Sequence, residues 1–532
     1  MNKFYRIQHK LLAFLIILLM LLCSAEIVNA QKQVDLLITN GKILDGTGNP
    51  WYYADVGIEG DQIVAVGDLA GVSAKDTIDA NGLYVSPGFI DVHSHSGPGL
   101  EDPKLSGAEP LLRQGITTVA INPDGGGSID LEKQKRKLLK HGLGVNVAQL
   151  VPHGSIREEV LGMDDRAPNP AEMEQMKELV HKGMEYGAFG LSSGPFYSPG
   201  SFASTQELIG LADVAAEYGG VYTSHIRDES NYTIGLEAAV DEVIEIARKA
   251  ELPGIVTHIK ALGPPVWNLS STIVENIENA REEGVEVFAD QYPYEASATG
   301  LISALVPRWA EEGGHDALVK RLEDPETRAK IKSAMKQNLQ RRGGAGRIQF
   351  RYYDPDSTIE GKTLKDLSEK RGKSSLEVAI ALISKGEPGI VSFNMKEEDV
   401  HRFMRQSWTM TCSDGGLVPM EQGVPHPRNY GAFPRKIRKY VVEQNAISLS
   451  QAIRSMTNLP AAVFNFENRG LIREGMTADV AIFDLEAVKD KAGFQAPHQL
   501  SEGMIYVLVN GDFAIKEENF IDTTRAGQLL KH

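Results

Sequence analysis

The chain has 532 residues, 42% hydrophobic and 24% charged, a balance that suits a large packed core and argues against a disordered, collagenous or disulfide-dense chain. Its formal charge of −16 leaves little scope for the basic face that phosphate contacts need, so no nucleic-acid partner is expected. Cysteine occurs only at Cys23 and Cys412, which removes a cysteine-rich zinc module and a disulfide framework from consideration.

Residues 1–30 read as an export leader. Lys3, Arg6 and Lys10 precede an apolar run from Leu11 to Leu22, and Val28-Asn29-Ala30 offers small residues at the spacing of a cleavage site. A membrane span needs roughly 20 apolar residues, and this run is shorter. Leu22 is too bulky to favour a lipid anchor at Cys23. The expectation is an exported protein, periplasmic or extracellular, cut near Ala30, with no stable membrane span and with Cys412 as its lone thiol.

From Val34 to Ile78 short alternating runs (VDLLITNG, KILDGTG, ADVGIEGDQIVAVG, KDTIDANG) are separated by Asn40-Gly41, Glu59-Gly60-Asp61 and Asn81-Gly82, which read as hairpin turns. The same style returns after about Thr477 in ADVAIFD and MIYVLVNG. Residues 31–85 and 470–532 are therefore expected to build one small β-sandwich from both chain ends.

Between them, over residues 86–469, apolar runs alternate with helical stretches, the pattern of a parallel sheet with helical crossovers. The runs are GFIDVHSH, TTVAI, VNVAQLV, AFGLSS, GVYTSH, GIVTH, VEVFAD and TMTCSD. Eight is the number that closes a (β/α)8 barrel, a fold whose catalytic groups sit at the C-terminal ends of the strands. A charged, helix-favouring stretch near 308–351 interrupts the repeat and reads either as an insertion over the barrel mouth or as a solvated crossover.

The strand ends carry a metal-binding pattern. His93 and His95 close the first run, and alternate residues of a strand share a face. His225 ends the fifth run, His258 the sixth and Asp414 the eighth. An HxH alone is most often an ordinary pair of histidines; four histidines and a carboxylate, all at strand ends, are hard to place as filler. Neutral imidazole with carboxylate suits Zn2+, and a catalytic zinc keeps one position for water. Asp414 is the candidate general base, taking a proton from that water and delivering it to a leaving amine.

The motifs PGFIDVHSH, GITT, HGSIR, GAFGLSSGPFYSPG, SHIRDE, HIKALG, DQYPYEAS, SDGG and HPRNYGAFPR, in this order, resemble the amidohydrolase superfamily and more closely its D-aminoacylase (N-acyl-D-amino-acid deacylase) family. The resemblance runs from about Val34 to Val509. It implies a (β/α)8 barrel with a sandwich made from both chain ends, and hydrolysis of the amide of a small-molecule N-acyl-D-amino acid. It further implies that His225 and His258 hold one tightly bound zinc, that His93 and His95 make a second metal position, and that Asp414 is base and then acid. Preference for D over L rests wholly on the resemblance.

One departure stands out. The family usually carries a metal-binding cysteine after the second strand, in Gly-Asn-Cys-Gly; here the text is Asn122-Pro123-Asp124-Gly125, with Asp124 at the cysteine's place. A carboxylate can bridge two ions, and as a harder ligand than thiolate it relaxes the selection for zinc. Cys412 is on the right alternation to approach the site, but the family does not use that position.

For the substrate carboxylate, the resemblance points to Lys260 with Tyr292 and Ser297. Arg428 and Arg227 are further cations beside motifs, either of them equally readable as the partner of a carboxylate such as Asp228 or Glu229. His153 reads as a supporting hydrogen-bonding group, and Tyr197 as core or pocket. Competing readings are a superfamily hydrolase of a cyclic amide, a dipeptide or another N-acyl compound, and a non-enzymatic binding relative. A polysaccharide-binding surface finds little support, with four Trp in the chain.

Overall fold

The computed structural model describes residues 33–532; the leader expected over residues 1–30 lies outside the described residues. Five strands from the N-terminal side (Gln33–Ile43, Tyr52–Glu59, Gln62–Gly67, Ser73–Asp79, Tyr84–Pro87) and four from the C-terminal side (Val480–Phe483, Met504–Val509, Asp512–Lys516, Asn519–Phe520) join into one nine-stranded sheet. The junction is Tyr84–Pro87 paired antiparallel with Val480–Phe483. Side chains alternate across these strands as a period of two requires. Val480, Ile482 and Leu508 pack with Leu36, Ile38, Val56, Ile63 and Val85 in the sheet's own core. Ala481, Phe483, Val507 and Val509 face the barrel's core. Each fully buried aliphatic side chain contributes about 1.5–3 kcal/mol, so the same strands hold the flank together and fasten it to the barrel.

Asn40-Gly41, expected to be a hairpin turn, is a bulge inside a single long strand. The register slips between Ile38 and Gly41, Asn40 takes φ +60°, and its side-chain amide donates to Asp79 at 2.9 Å. The local turn chemistry is present, but pairing on both sides of the strand overrides it.

All eight runs form barrel strands, in the order Phe89–Asp91, Ile116–Ile121, Asn146–Gln149 continued by Val151–Pro152, Gly190–Ser193, Val221–Ser224, Gly254–Val256, Val287–Gln291 and Thr409–Thr411. The third breaks at Leu150: its first part pairs with the second strand and its last two residues with the fourth. The ring closes through Asp414 N to His93 O at 3.0 Å and His95 N to Gly415 O at 2.8 Å. Crossover helices coat the outside, as Leu236–Ala250 shows: Leu236, Ala239, Val240, Val243, Ile246, Ala247 and Ala250 turn inward at helical spacing.

The interruption is larger and more ordered than its charged text implied. Helices Gly314–Glu323 and Pro325–Arg341 occupy the expected stretch, but the lobe also contains an antiparallel sheet of Ser297–Gly300, Gly389–Ser392 and Ile348–Tyr352. It closes around its own apolar core, with Leu301, Leu305, Ile331, Phe350, Ile380 and Ile390 at its centre.

Candidate metal centre

A cavity of about 940 Å³ opens at the C-terminal ends of the barrel strands. Its floor is the strand-end loops; Arg342, Arg351 and Tyr352 of the inserted lobe form part of its wall. The strands stop just short of the functional residues. Phe89–Asp91 ends two residues before His93, and Gly254–Val256 two before His258, so strict strand alternation does not aim these side chains. Three of them sit instead in left-handed backbone: Asp124 at φ +56°, His258 at φ +37° and Asp414 at φ +48°. That region is rare for non-glycine residues and is held only where the surroundings demand it.

The surroundings here are specific. Asn122 donates to Leu150 O at 3.1 Å and to Gln134 at 2.9 Å, and its own carbonyl accepts from Ser192 Oγ at 2.6 Å. The loop it begins then runs so close to the fourth strand's end that a Cβ on Gly194 would stand 2.2 Å from Asp124 O. Beneath the other ligands lie two buried carboxylates. Asp290 accepts from His258 N at 2.7 Å. Asp91 accepts from Ser413 N at 2.8 Å and from Ser413 Oγ, and burial pushes its carboxyl up to about 6.

Asp124 is the hub. Its Oδ1 lies 3.3 Å from His93 Nε2, 3.4 Å from His258 Nε2 and 3.7 Å from His225 Nδ1, while its Oδ2 lies 3.4 Å from His95 Nε2. Asp414 Oδ1 is 3.2 Å from His95 Nε2 and 3.8 Å from His93 Nε2. Two overlapping donor groups result, His93–His95–Asp124–Asp414 and Asp124–His225–His258, each with its ligand atoms within 4.8 Å of one another. His93 Nε2, Asp124 Oδ1 and both ring nitrogens of His225 are buried without a hydrogen-bond partner. Orphaned buried polar atoms carry a real cost, and a divalent cation among them would satisfy His93 Nε2, Asp124 Oδ1 and the His225 nitrogen that faces Asp124, Nδ1. The residues therefore fit a metal. Cys412 is buried and belongs to neither group.

Arg428 holds Asp414 in a two-pronged contact, Nη1 to Oδ2 at 2.7 Å and Nη2 to Oδ1 at 3.0 Å. Burial raises the Asp414 carboxyl, and the Arg428 charge together with His258 and His95 outweighs it, holding the group well below the usual carboxylate range. Lys260 Nζ donates to Glu229 Oε1 and stands 2.7 Å from His258 Nδ1. Glu229 is also 3.1 Å from His258 Nδ1 and 3.7 Å from His225 Nε2, so one carboxylate braces two candidate ligands.

The four expected carboxylate-binding residues, Lys260, Tyr292, Ser297 and Arg428, all line the cavity. The two cations among them are already neutralised, by Glu229 and Asp414. Ser297 Oγ bonds the Asn394 amide at 3.2 Å, and the Tyr292 ring lies under the Arg428 guanidinium at 4.7 Å. Arg227 turns away to Glu242, at 2.8 Å, not to Asp228 or Glu229. His153 is buried against Glu207 at 3.0 Å, and its neighbours Gly154 and Ser155 reach the cavity. Tyr197 is a pocket residue, its ring 4.5 Å from that of His225. Sequence reasoning missed Glu229 as a brace, although it follows His225 by four residues within SHIRDE. It also did not single out Arg342 and Arg351, whose charged stretch reads equally as an insertion over the barrel mouth and as a solvated crossover helix.

Comparison with known proteins follows the same lines. Residues 76–515 match the model of the amidohydrolase family. An N-acyl-D-glutamate deacylase of Alcaligenes xylosoxydans xylosoxydans is 34% identical over 90% of this chain and 93% of its own. A D-aminoacylase of the same organism is 32% identical over 94% and 98%. The crystal structure of an N-acyl-D-glutamate deacylase from Bordetella bronchiseptica, complexed with zinc and a phosphonate mimic of the tetrahedral intermediate, superposes with a TM-score of 0.80 at 33% identity, covering 94% of this chain and all of that one.

Proposed function

Since the chain belongs to the amidohydrolase family, within its group of D-aminoacylases and N-acyl-D-amino-acid deacylases, we propose that it hydrolyses the amide of N-acyl-D-amino acids to a carboxylate and a free D-amino acid. The observation that supports this most directly is the convergence of four imidazoles and two carboxylates, with unsatisfied lone pairs, on the floor of a cavity at the barrel's C-terminal face.

His225, His258 and Asp124 would hold one ion, zinc in this reading, and His93 and His95 with Asp124 a second. Bound there, the ion supplies Lewis-acid polarisation of the amide carbonyl and eases ionisation of water. The rest falls to the chain. Asp414, kept ionised by Arg428, accepts the proton of the attacking water and passes it to the leaving nitrogen. Arg428 also fixes which way the carboxylate faces. Glu229 and Lys260 keep His258 oriented, so that Nε2 faces Asp124 while Nδ1 meets the Glu229–Lys260 pair. No covalent intermediate on the protein is needed.

Asp124 in place of a thiolate points to a less zinc-selective centre. Asp124→Cys should raise affinity for zinc relative to manganese, read by competition with a chromogenic chelator; unchanged relative affinities would remove Asp124 from the ligand set. The activity test is release of free amino acid from N-acetyl-D- and N-acetyl-L-amino acids by zinc-loaded protein, with a cyclic amide alongside. D-selective release supports the reading. Turnover of the cyclic amide alone would replace it.

We also propose that the protein is exported and that its working form begins near residue 31. Among the described residues no helix is long and apolar enough to cross a membrane. Mass spectrometry of the protein recovered from the producing cells, by fraction, tests the cleavage at Ala30.

A further inference from the structure

Five cations line the cavity, and three have a carboxylate of their own. Lys137 pairs with Glu101 at 3.1 Å, Lys260 with Glu229, and Arg428 with Asp414. The other two, Arg342 and Arg351, both come from the inserted lobe. Among the described residues neither has a carboxylate partner. Arg342 is 1% exposed; its Nε donates to the Tyr232 hydroxyl at 2.8 Å, and its Nη1 reaches the Asn394 amide oxygen at 3.2 Å when that amide is turned to suit its neighbours. Arg351 lays its guanidinium 5.1 Å from the centre of the Tyr352 ring, and its Nε is buried without a partner. Burial and the nearby Arg428 charge both act against the charge on Arg351.

A buried guanidinium without a counter-charge is expensive, and it cannot escape by losing its proton. The remaining charges at the site do not supply the balance. Asp414 and Glu229 are matched by their cations, Asp124 would be matched by the metal the site holds when loaded, and Glu158 is exposed at the cavity's edge. Two uncompensated positive charges face the space the substrate must enter. An N-acyl amino acid with a neutral side chain brings one negative charge; one with an acidic side chain brings two.

We propose that Arg342 and Arg351 bind the carboxylates of a dianionic substrate, making the protein selective for N-acyl-D-amino acids whose side chain ends in a carboxylate. The proposal rests on the deacylase reading above and adds what that reading leaves open, the side chain accepted. It also explains why the cations are arginines: a planar fork takes a carboxylate through two parallel hydrogen bonds, which an ammonium cannot do.

The test compares N-acetyl-D-glutamate with N-acetyl-D-glutamine, which match in size and differ in charge, and adds N-acetyl-D-leucine. The zinc-loaded wild type is run beside R342M, R351M, R351K and the double Met variant. Hydrogen bonds to a charged group correspond to about 10- to 150-fold in kcat/KM, and the wild type should favour glutamate over glutamine by that margin, mainly through KM. The double Met variant should lose about 10-fold or more of the preference, and R351K should lose less activity on glutamate than R351M. Loss on glutamate alone places the lost arginine at the side-chain carboxylate; equal loss on all three substrates places it at the α-carboxylate. Equal use of glutamate and glutamine by the wild type overturns the proposal, as does a preference that survives in the double variant. Binding of the products D-glutamate and D-glutamine is measured in parallel by calorimetry, which needs no turnover. Silence across the panel would overturn the deacylase reading, and equal binding of the two products would then overturn this proposal separately.

Discussion

The floor of the cavity and the lobe beside it solve opposite problems. On the floor each matched charge has its counterpart, Asp414 with Arg428 and Glu229 with Lys260, and the backbone is held in unfavourable conformations at Asp124, His258 and Asp414. In the lobe the backbone is ordinary helix and sheet around an independent apolar core, and two guanidinium groups face the cavity without a carboxylate. Strain and exact pairing serve chemistry, which needs fixed positions. Uncompensated charge serves recognition, which needs something left for the ligand to complete. The difference places reaction on the barrel and choice of substrate on the insertion.

The largest effect that would test this division is on the floor. Asp414→Asn should lower kcat by about 10²- to 10⁴-fold, the range for removing a general acid–base group, while metal analysis still finds the ion held by His225, His258 and Asp124. A variant that keeps most of its turnover would remove Asp414 from the proton path. The matching change in the lobe is Phe350→Ala. Phe350 is fully buried in the lobe's core, and truncating such a ring costs about 3–5 kcal/mol. Hydrogen exchange should accelerate across 301–392 and leave the strands Val221–Ser224 and Gly254–Val256 protected, with KM rising more than kcat falls. Uniform loss of protection would mean that the two regions fold as one unit and the division does not hold.

The two regions also differ in how far they could be read in advance. The barrel is legible because all eight strands are apolar runs and several of them stop at a chemically marked residue, so count and site come from one pattern; GIVTH and TMTCSD need no tertiary information. The lobe gave no such signal. Ser-Ala-Thr-Gly at 297–300 lacks an apolar face and becomes a strand only by pairing with Gly389–Ser392, and the tertiary partner is invisible in the local text. Its arginines lay inside a charge-rich stretch where solvated helix was an equal reading. The site's outer pairings were hidden for a related reason. Lys260 and Arg428 were recognisable as cavity cations, but that they are occupied by Glu229 and Asp414 depends on geometry across 31 and 14 residues of separation.

A smaller effect sharpens the account of the floor. Glu229→Gln leaves Lys260 buried without its counter-ion and weakens the acceptor at His258 Nδ1. Loss of such a brace typically costs 10- to 100-fold in metal affinity, measurable by chelator competition. If affinity is unchanged while KM alone rises, Glu229 acts on the substrate side of Lys260 and the orienting role is wrong.

The smallest predicted effect concerns a buried cation that does not line the cavity. Lys436 is buried behind the eighth barrel strand, its Nζ donating to Thr411 Oγ1 at 2.7 Å and Ser455 Oγ at 2.8 Å, and burial lowers its pKa to about 7. In the unfolded chain the same amine titrates near ~10.4. Between those values the unfolded chain carries a proton that the folded protein does not, so stability rises with pH through that window and is lowest below about pH 7. The gain between pH 7 and 8 should be about 1 kcal/mol, seen as a shift in the unfolding midpoint. Lys436→Met should flatten that rise and be more stable than the wild type at pH 6.5, since a thioether carries no charge to desolvate. A wild-type midpoint that does not move with pH would mean that the two hydroxyls stabilise the ammonium fully. Burial alone would then not explain why the lobe's arginines need a ligand, and the argument for a dianionic substrate would have to rest on the substrate panel.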